Sequence, residues 1–312
     1  PVSDYVPLSK NDDNVVTQFT MTALEELGLL KMDFLGLRNL TVINDAEKQI
    51  KHKNPDYNPD MVDENDKKVF EMFSKGYTEG VFQFESQGMK NVLTQLKPER
   101  IEDLIAVTAL YRPGPMDSIP VYIDCRHNPS HIRYKHPLLK EILGVTSGCI
   151  IYQEQVMQIV RDLAGYTWGR SDLVRRAMSK KKGKVMEQER KNFVYGNPEE
   201  NVPGCIARGI DEKVANKIYD NMIDFAKYAF NKSHAAAYAV VAYQTAYLKY
   251  YYPVEFMAAL MTSVLDNTSK VSEYIYTCRQ MGIAILPPDI NEGEGGFSVS
   301  GQAIRYGLSA IK

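Results

Sequence analysis

Cysteine is scarce in this chain, and what there is lies scattered: Cys125, Cys149, Cys205 and Cys278 form no Cys-x-x-Cys pair. A cysteine-built zinc site and a disulfide scaffold are both disfavoured, and a reducing cytoplasm fits best. The five histidines carry no expectation of a dedicated zinc site either. No basic segment followed by an apolar core and a cleavage site opens the sequence, so secretion is not expected. Long apolar runs are missing too. The most apolar stretch, residues 235–248, is interrupted by Tyr243, Gln244 and Thr245 and gives way to Lys249, so no membrane partner is expected. There is no internal repeat, heptad array or low-complexity tract.

An excess of one charge is also absent. The formal net charge is −2, which by itself gives no ground for nucleic-acid binding, but the charges are unevenly distributed. Hydrophobic residues make up 44 % and charged residues 24 % of 312 positions, ordinary for one large or two average globular domains. The chain opens at Pro1 rather than at methionine and stops at Lys312, just after a strand-like run. That reads as a piece of a longer protein, a processed terminus being the plainer alternative.

The pattern of apolar residues predicts a mainly α chain with a small α+β portion. Residues 15–20 read as a strand and 21–27 as a short helix stopped by Gly28. Residues 29–34 fit a strand carrying Lys31 and Asp33 on one face. A helix follows from Thr41, with Val42, Ala46, Gln49 and Ile50 on one side. Asp63 is placed to cap the next helix, and residues 80–84 read as a strand. The centre is helical. Residues 102–111 end at Arg112-Pro113-Gly114-Pro115, and residues 153–163 carry a Val156, Ile159, Val160, Leu163 stripe stopped by Gly165. Ser171 is placed to cap a helix running to about Lys181. Helices over 211–228, 233–250 and 254–265 come next, with Pro253 at a first turn, then one to Met281 capped by Thr268 or Ser269. From about Leu286 the composition shifts to Pro-Pro, Gly-Gly and strand-like runs, which marks a boundary.

Three constellations carry chemistry. On a strand, Lys31 and Asp33 would point the same way, about 7 Å apart. A carboxylate beside a cation suits a Mg²⁺ ligand next to a phosphate-neutralising lysine; a surface ion pair on an edge strand is the plainer account of this segment taken alone. Residues 175–184, reading RRAMSKKKGK, hold six basic residues and no acid. Arg176 and Lys180 stand one turn apart, as do Arg175 and Ser179, so donors rise in two columns toward a triphosphate or a nucleic-acid backbone. The alternative is a solvated basic face at a helix C-terminus. Residues 228–238, reading YAFNKSHAAAY, put Tyr228, Asn231, Lys232 and His234 about a helix start, where free N–H groups and the dipole attract anions. His234 and Tyr238 share a face, with three alanines leaving room for a flat ligand. Helix packing through an Ala-rich face, with His234 as a satisfied histidine, is the competing account.

Eight ordered blocks resemble one family over essentially the whole length. They include LLKMDFLGLRNLTVI, ALYRPGPM, YQEQVMQIV, LVRRAMSKKK, FAKYAFNKSHAAAYA and YQTAYLKYYYPVEFMAAL. The family is the bacterial C-family replicative DNA polymerases, that of the DNA polymerase III alpha subunit. The resemblance implies a partial nucleotidyltransferase palm of the polymerase-beta-like type over residues 1–42. It implies a large helical fingers domain over 43–284, and over 285–312 the start of a helix-hairpin-helix or duplex-binding module. Asp33 matches the third of three palm aspartates that hold two Mg²⁺ ions, and Lys31 the palm lysine at the triphosphate. Arg175, Arg176, Lys180, Tyr228, Asn231, Lys232 and His234 match fingers positions around an incoming dNTP, with Tyr238 at the base or sugar. The implied activity is chromosomal DNA replication by two-metal nucleotidyl transfer from dNTP to a primer 3′-OH. Primer-template DNA and other replisome subunits (sliding clamp, clamp loader) are the implied partners. The family's D-x-D pair is absent, so the fragment is expected to be inactive alone. A non-catalytic nucleic-acid-binding module or replisome scaffold is the alternative.

Overall fold

The computed structural model describes residues 1–32, 36–179, 183–226 and 228–311, in two compact units, residues 1–38 and 39–312. In the smaller unit β1 (Leu8–Asn11) and β2 (Asn14–Thr17) form an antiparallel hairpin. Its register pairs Leu8 with Thr17, and Asp12 takes the left-handed turn conformation that short polar side chains tolerate. α1 (Met21–Glu26) ends before Gly28, whose φ of 78° supplies the expected stop. Residues 29–32 have no regular structure, so that part of the expected strand is not formed; its remaining residues include Asp33, which lies outside the described residues.

The larger unit is helical, and its helices sort into three cores. The first is built from α3 (Lys67–Ser74), α4 (Gln87–Leu96), α5 (Ile101–Leu110), α6 (Ile119–His127) and one side of α12, defined below. α2 (Arg38–Lys53) belongs to the third and buries Val42, Ile43, Ala46 and Ile50 there. Two local expectations fail here. Asp66, not Asp63, caps α3, accepting from the amides of Lys68 and Val69. Residues 80–84 form turns rather than a strand. Gln83 sits at φ 64°, Thr78 Oγ1 donates to the Phe84 carbonyl at 2.6 Å, and the Phe82 amide goes to Thr245 Oγ1 at 3.1 Å. With those groups so engaged, no ladder partner is needed.

The second core gathers α7 (Leu139–Leu143), α8 (Gln153–Ala164), α9 (Trp168–Ser179), α10 (Gly183–Tyr195) and α11 (Glu212–Ala226). The α8 stripe is buried as its period requires, each such side chain contributing about 1.5–3 kcal/mol. Gly165 terminates it at φ 80°. α9 begins before Ser171: Thr167 Oγ1 accepts from the Arg170 amide, while Ser171 turns its hydroxyl back to the Thr167 carbonyl from inside the helix.

α12 (Lys232–Tyr251) joins two cores. Ala235, Ala239, Ala242 and Ala246 form a small-residue stripe that admits α5 closely in the first core, and Leu248 enters the third. That third core also contains α13 (Pro253–Thr262) and α14 (Thr268–Gln280), the latter capped by Asn267 rather than by Thr268 or Ser269. The tail adds β3 (Ile285–Leu286), β4 (Ser298–Ser300) and β5 (Ala303–Arg305) in the order β3-β5-β4, parallel then antiparallel. Phe297, Ile304 and Ala310 from this segment are buried in the same core as α13. No helix among the described residues is long and apolar enough to cross a membrane.

Candidate functional site

The start of α12 is where the expected residues meet. Asn231 is its N-cap, its Oδ1 accepting from the His234 amide at 2.9 Å. Phe230, one residue earlier, pairs in parallel with Tyr152: the Gln153 amide donates to the Phe230 carbonyl at 2.9 Å, and the Phe230 amide to Ile151 at 3.1 Å. This short bridge fixes the chain entering α12 against the chain entering α8.

From that start an aromatic column climbs the helix. The Phe230 and His234 rings lie 5.4 Å apart, His234 and Tyr238 4.2 Å, and Tyr238 and Phe82 5.1 Å. Four-residue spacing produces the first two contacts. Phe82, more than 150 positions away in sequence, is supplied by the fold. His234 is exposed and Tyr238 half-buried, so the column presents ring surface to solvent.

The Arg112-Pro113-Gly114-Pro115 bend braces the other side. The Arg112 guanidinium lies 4.4 Å from the Phe230 ring centroid, donates through Nε to the Ala109 carbonyl at 2.8 Å and through Nη2 to the Tyr228 carbonyl. Gly114, at φ 103°, has no side chain to collide with Tyr228; a Cβ there would fall 2.5 Å from its ring. Tyr228 is nonetheless 45 % exposed. The prolines and glycine of this bend suffice to stop a helix, and the fold gives Arg112 a bracing role of its own.

One expectation is corrected. The Lys232 and His234 amides at the start of α12 are not open to an outside anion. Glu154, from the first turn of α8, accepts from the Lys232 amide at 3.2 and 3.1 Å through its two oxygens and from Asn231 Nδ2 at 3.2 Å. Lys232 Nζ sits 5.6 Å from the centroid of the buried Tyr152 ring. Cation and carboxylate thus flank the helix start together, in the sense its dipole favours for the acid.

Arg175 and Arg176 lie on α9 and share one acid. Arg175 reaches Asp172 Oδ1 through Nε and Nη2 at 2.9 and 2.6 Å, and Arg176 Nε reaches Oδ2 at 2.7 Å. The hydrogen bond from Arg175 is the foremost reason the Asp172 carboxyl falls below its ordinary range. Asp172, at i−3 and i−4, was legible at helical spacing and halves the net charge of the arginine pair. Lys31 is exposed in the smaller unit. Asp33 and Lys180 lie outside the described residues.

Two other features draw the eye. His127 and His131 stand four residues apart, but Pro129 separates them and each is engaged, His127 Nε2 with the Leu96 carbonyl and His131 Nδ1 with Asp124. Among the described residues no three His, Cys, Asp or Glu side chains converge. A cleft of about 890 Å³ lies at the opposite end of α12. At its floor Lys249, 3 % exposed, places its three donors on the carbonyls of Tyr77 and Glu79 and on Glu79 Oε2, at 2.9, 2.8 and 3.3 Å. Burial lowers the Lys249 ammonium, against the opposing pull of Glu79.

Known proteins share this chain's sequence throughout. The family model described as the bacterial DNA polymerase III alpha subunit finger domain matches residues 39–201. That described as the bacterial DNA polymerase III alpha NTPase domain matches residues 1–36. The chain is 46 % identical over 314 residues to DNA polymerase III subunit alpha of Bacillus subtilis (strain 168), covering 100 % of this chain and 27 % of that one. To the subunit of Borreliella burgdorferi it is 47 % identical over 314 residues, with the same two shares. To that of Thermus aquaticus it is 47 % identical over 319 residues, 100 % of this chain and 26 % of the other. It therefore spans about a quarter of the length of the curated relatives it matches. With more than half its residues under the finger-domain model and its whole length aligned to these subunits, the chain belongs to the bacterial DNA polymerase III alpha subunit family.

Proposed function

We propose that this chain is the nucleotide-handling segment of a replicative DNA polymerase: palm over residues 1–42, fingers over 43–284 and the start of a duplex-binding module from 285. The observation that carries the reading is the cluster at the start of α12, where exposed ring faces of His234 and Tyr238 stand beside Lys232, Asn231 and Tyr228. Ring faces suit a base or sugar, and fixed cations suit phosphate. The family membership supports the same substrate class, a dNTP paired to primer-template DNA.

In this reading the Lys232 ammonium and the α9 arginines neutralise phosphate charge, Asp172 holding the arginines extended until phosphate competes for them. His234 and Tyr238 stack against the nucleoside. By the family resemblance, Lys31 is assigned a triphosphate-binding role and Asp33 a metal-binding role. The family resemblance implies two Mg²⁺ ions for nucleotidyl transfer. Asp33 would supply one of their ligands; among the described residues no three His, Cys, Asp or Glu side chains converge to supply the others. This segment is proposed to extend no primer by itself.

The test is steady-state primer extension by the full-length polymerase carrying this segment. Lys232→Met should raise the KM for dNTP by about tenfold or more, as loss of one charged contact implies. An unchanged KM overturns the assignment. Extension by the isolated chain would overturn its supposed dependence on the rest of the polymerase.

A further inference from the structure

Glu154 belongs to the second core's α8, yet among the described residues its side-chain hydrogen bonds all go to the start of α12. The two helix starts would remain tied without it. The Phe230 bridge uses backbone groups, and Gln153 Nε2 adds a bond to the Ala229 carbonyl at 3.1 Å. What the carboxylate adds is orientation. An ionised carboxylate only accepts, so the Asn231 amide must present its amino group to Glu154 and therefore its oxygen to the His234 amide. Glu154, Asn231 and His234 form one chain of bonds whose polarity is fixed at both ends, by an acceptor-only carboxylate and a donor-only backbone N–H. At the far end of that chain the His234 ring stacks on Tyr238 at 4.2 Å. Glu154 also holds the Lys232 backbone, fixing the root of the side chain assigned above to phosphate.

Resting on the nucleotide reading above, we infer that Glu154 is a positioning residue for the nucleoside triphosphate. It anchors the Asn231 cap from the amino side and holds the Lys232 backbone directly, and so fixes the stance of Lys232 and His234 without itself touching the ligand. The opposite role is physically distinct. A carboxylate on the first N–H groups of a helix also occupies ground that draws phosphate. Were Glu154 a stand-in anion that the triphosphate displaces, removing its charge would tighten nucleotide binding rather than weaken it.

The same extension assay separates these roles. Glu154→Ala should raise the KM for dNTP about tenfold, as expected for losing hydrogen bonds to a charged acceptor, with kcat within about twofold. Glu154→Gln keeps an oxygen where Oε1 now accepts both bonds, so it should return the KM most of the way to wild type. A lowered KM in both variants overturns positioning in favour of the displaced anion. A fall in kcat and in thermal stability with no change in KM overturns it in favour of a merely structural tie. Lys232→Met, measured alongside, keeps the two claims apart. An unchanged KM there strikes the nucleotide reading itself. A raised KM there, with an unchanged KM in Glu154→Ala, strikes only the role of Glu154.

Discussion

At each end of α12 a lysine of the helix lies close to a glutamate from elsewhere in the fold, and the two ends use these groups in opposite ways. At the C-terminal end Lys249 is buried and all three of its donors are spent on Tyr77 and Glu79, with Lys90 Nζ adding a 2.6 Å bond to the same carboxylate. At the N-terminal end Lys232 is half-buried over Tyr152, Glu154 holds its amide, and exposed rings stand beside it. A cleft of about 890 Å³ opens at the C-terminal end, yet there the acids lining it are already matched: Glu71 with Lys75, Glu79 with Lys90 and Lys249, Glu273 with Lys270. Volume alone is a poor guide. The end whose groups can still form new bonds is the better candidate for a ligand, and the end whose groups are closed on one another is the better candidate for stability.

The sharpest way to break this contrast is to remove each lysine. Lys249→Met leaves buried carbonyls and a part-buried carboxylate short of a partner, and it should cost about 3 kcal/mol in chemical denaturation. Lys232→Met should stay within about 0.5 kcal/mol of wild type. Equal losses at the two positions would erase the distinction. Gly114→Ala probes the bracing of the N-terminal end. Its positive φ and the approach of Tyr228 should together cost about 2 kcal/mol, and part of that should vanish in a Tyr228→Ala background. Additive losses would mean that the ring does not rest on Gly114.

The smallest effect is in acid. Burial pushes the Glu79 carboxyl upward, but hydrogen bonds from Lys90 and its own amide, with the charges of Lys249 and Lys90, leave it below its ordinary 4.5. A carboxylate lowered on folding stabilises the fold above its unfolded pKa, and that gain drains away as pH falls through the folded value. Stability measured from pH 6 down to about pH 3 should therefore fall less steeply in Glu79→Gln than in the wild type. Parallel slopes would remove Glu79 from the acid response.

Much of this was readable along the chain because it is local. The α8 stripe and its Gly165 stop, the bounds of α12 and the Pro253 first turn all follow from period and capping chemistry. Residues 80–84 did not, because their alternation of apolar and polar residues fits a strand while the backbone bonds go to Thr78 and Thr245. Capping was misplaced where several acceptors compete, as between Asp63 and Asp66. The α12 cluster was visible as a contiguous run. Glu154 and Phe82 were not, since no spacing rule links them to a helix 80 to 150 positions downstream. Asp172 was in reach of such a rule and changes the account of the arginine pair.

α12 runs unbroken from Lys232 to Tyr251, seated in one core along its alanine stripe and in another through Leu248. Twenty residues make a rod about 30 Å long. A tilt of about 5° about its buried foot would carry the His234 end through roughly 2 to 3 Å, more than half the spacing between stacked rings. The alanine contacts that let α5 lie so close are thus what keeps that lever from swinging, and enlarging one of them would be felt as lost aim at the far tip before it was felt as lost stability.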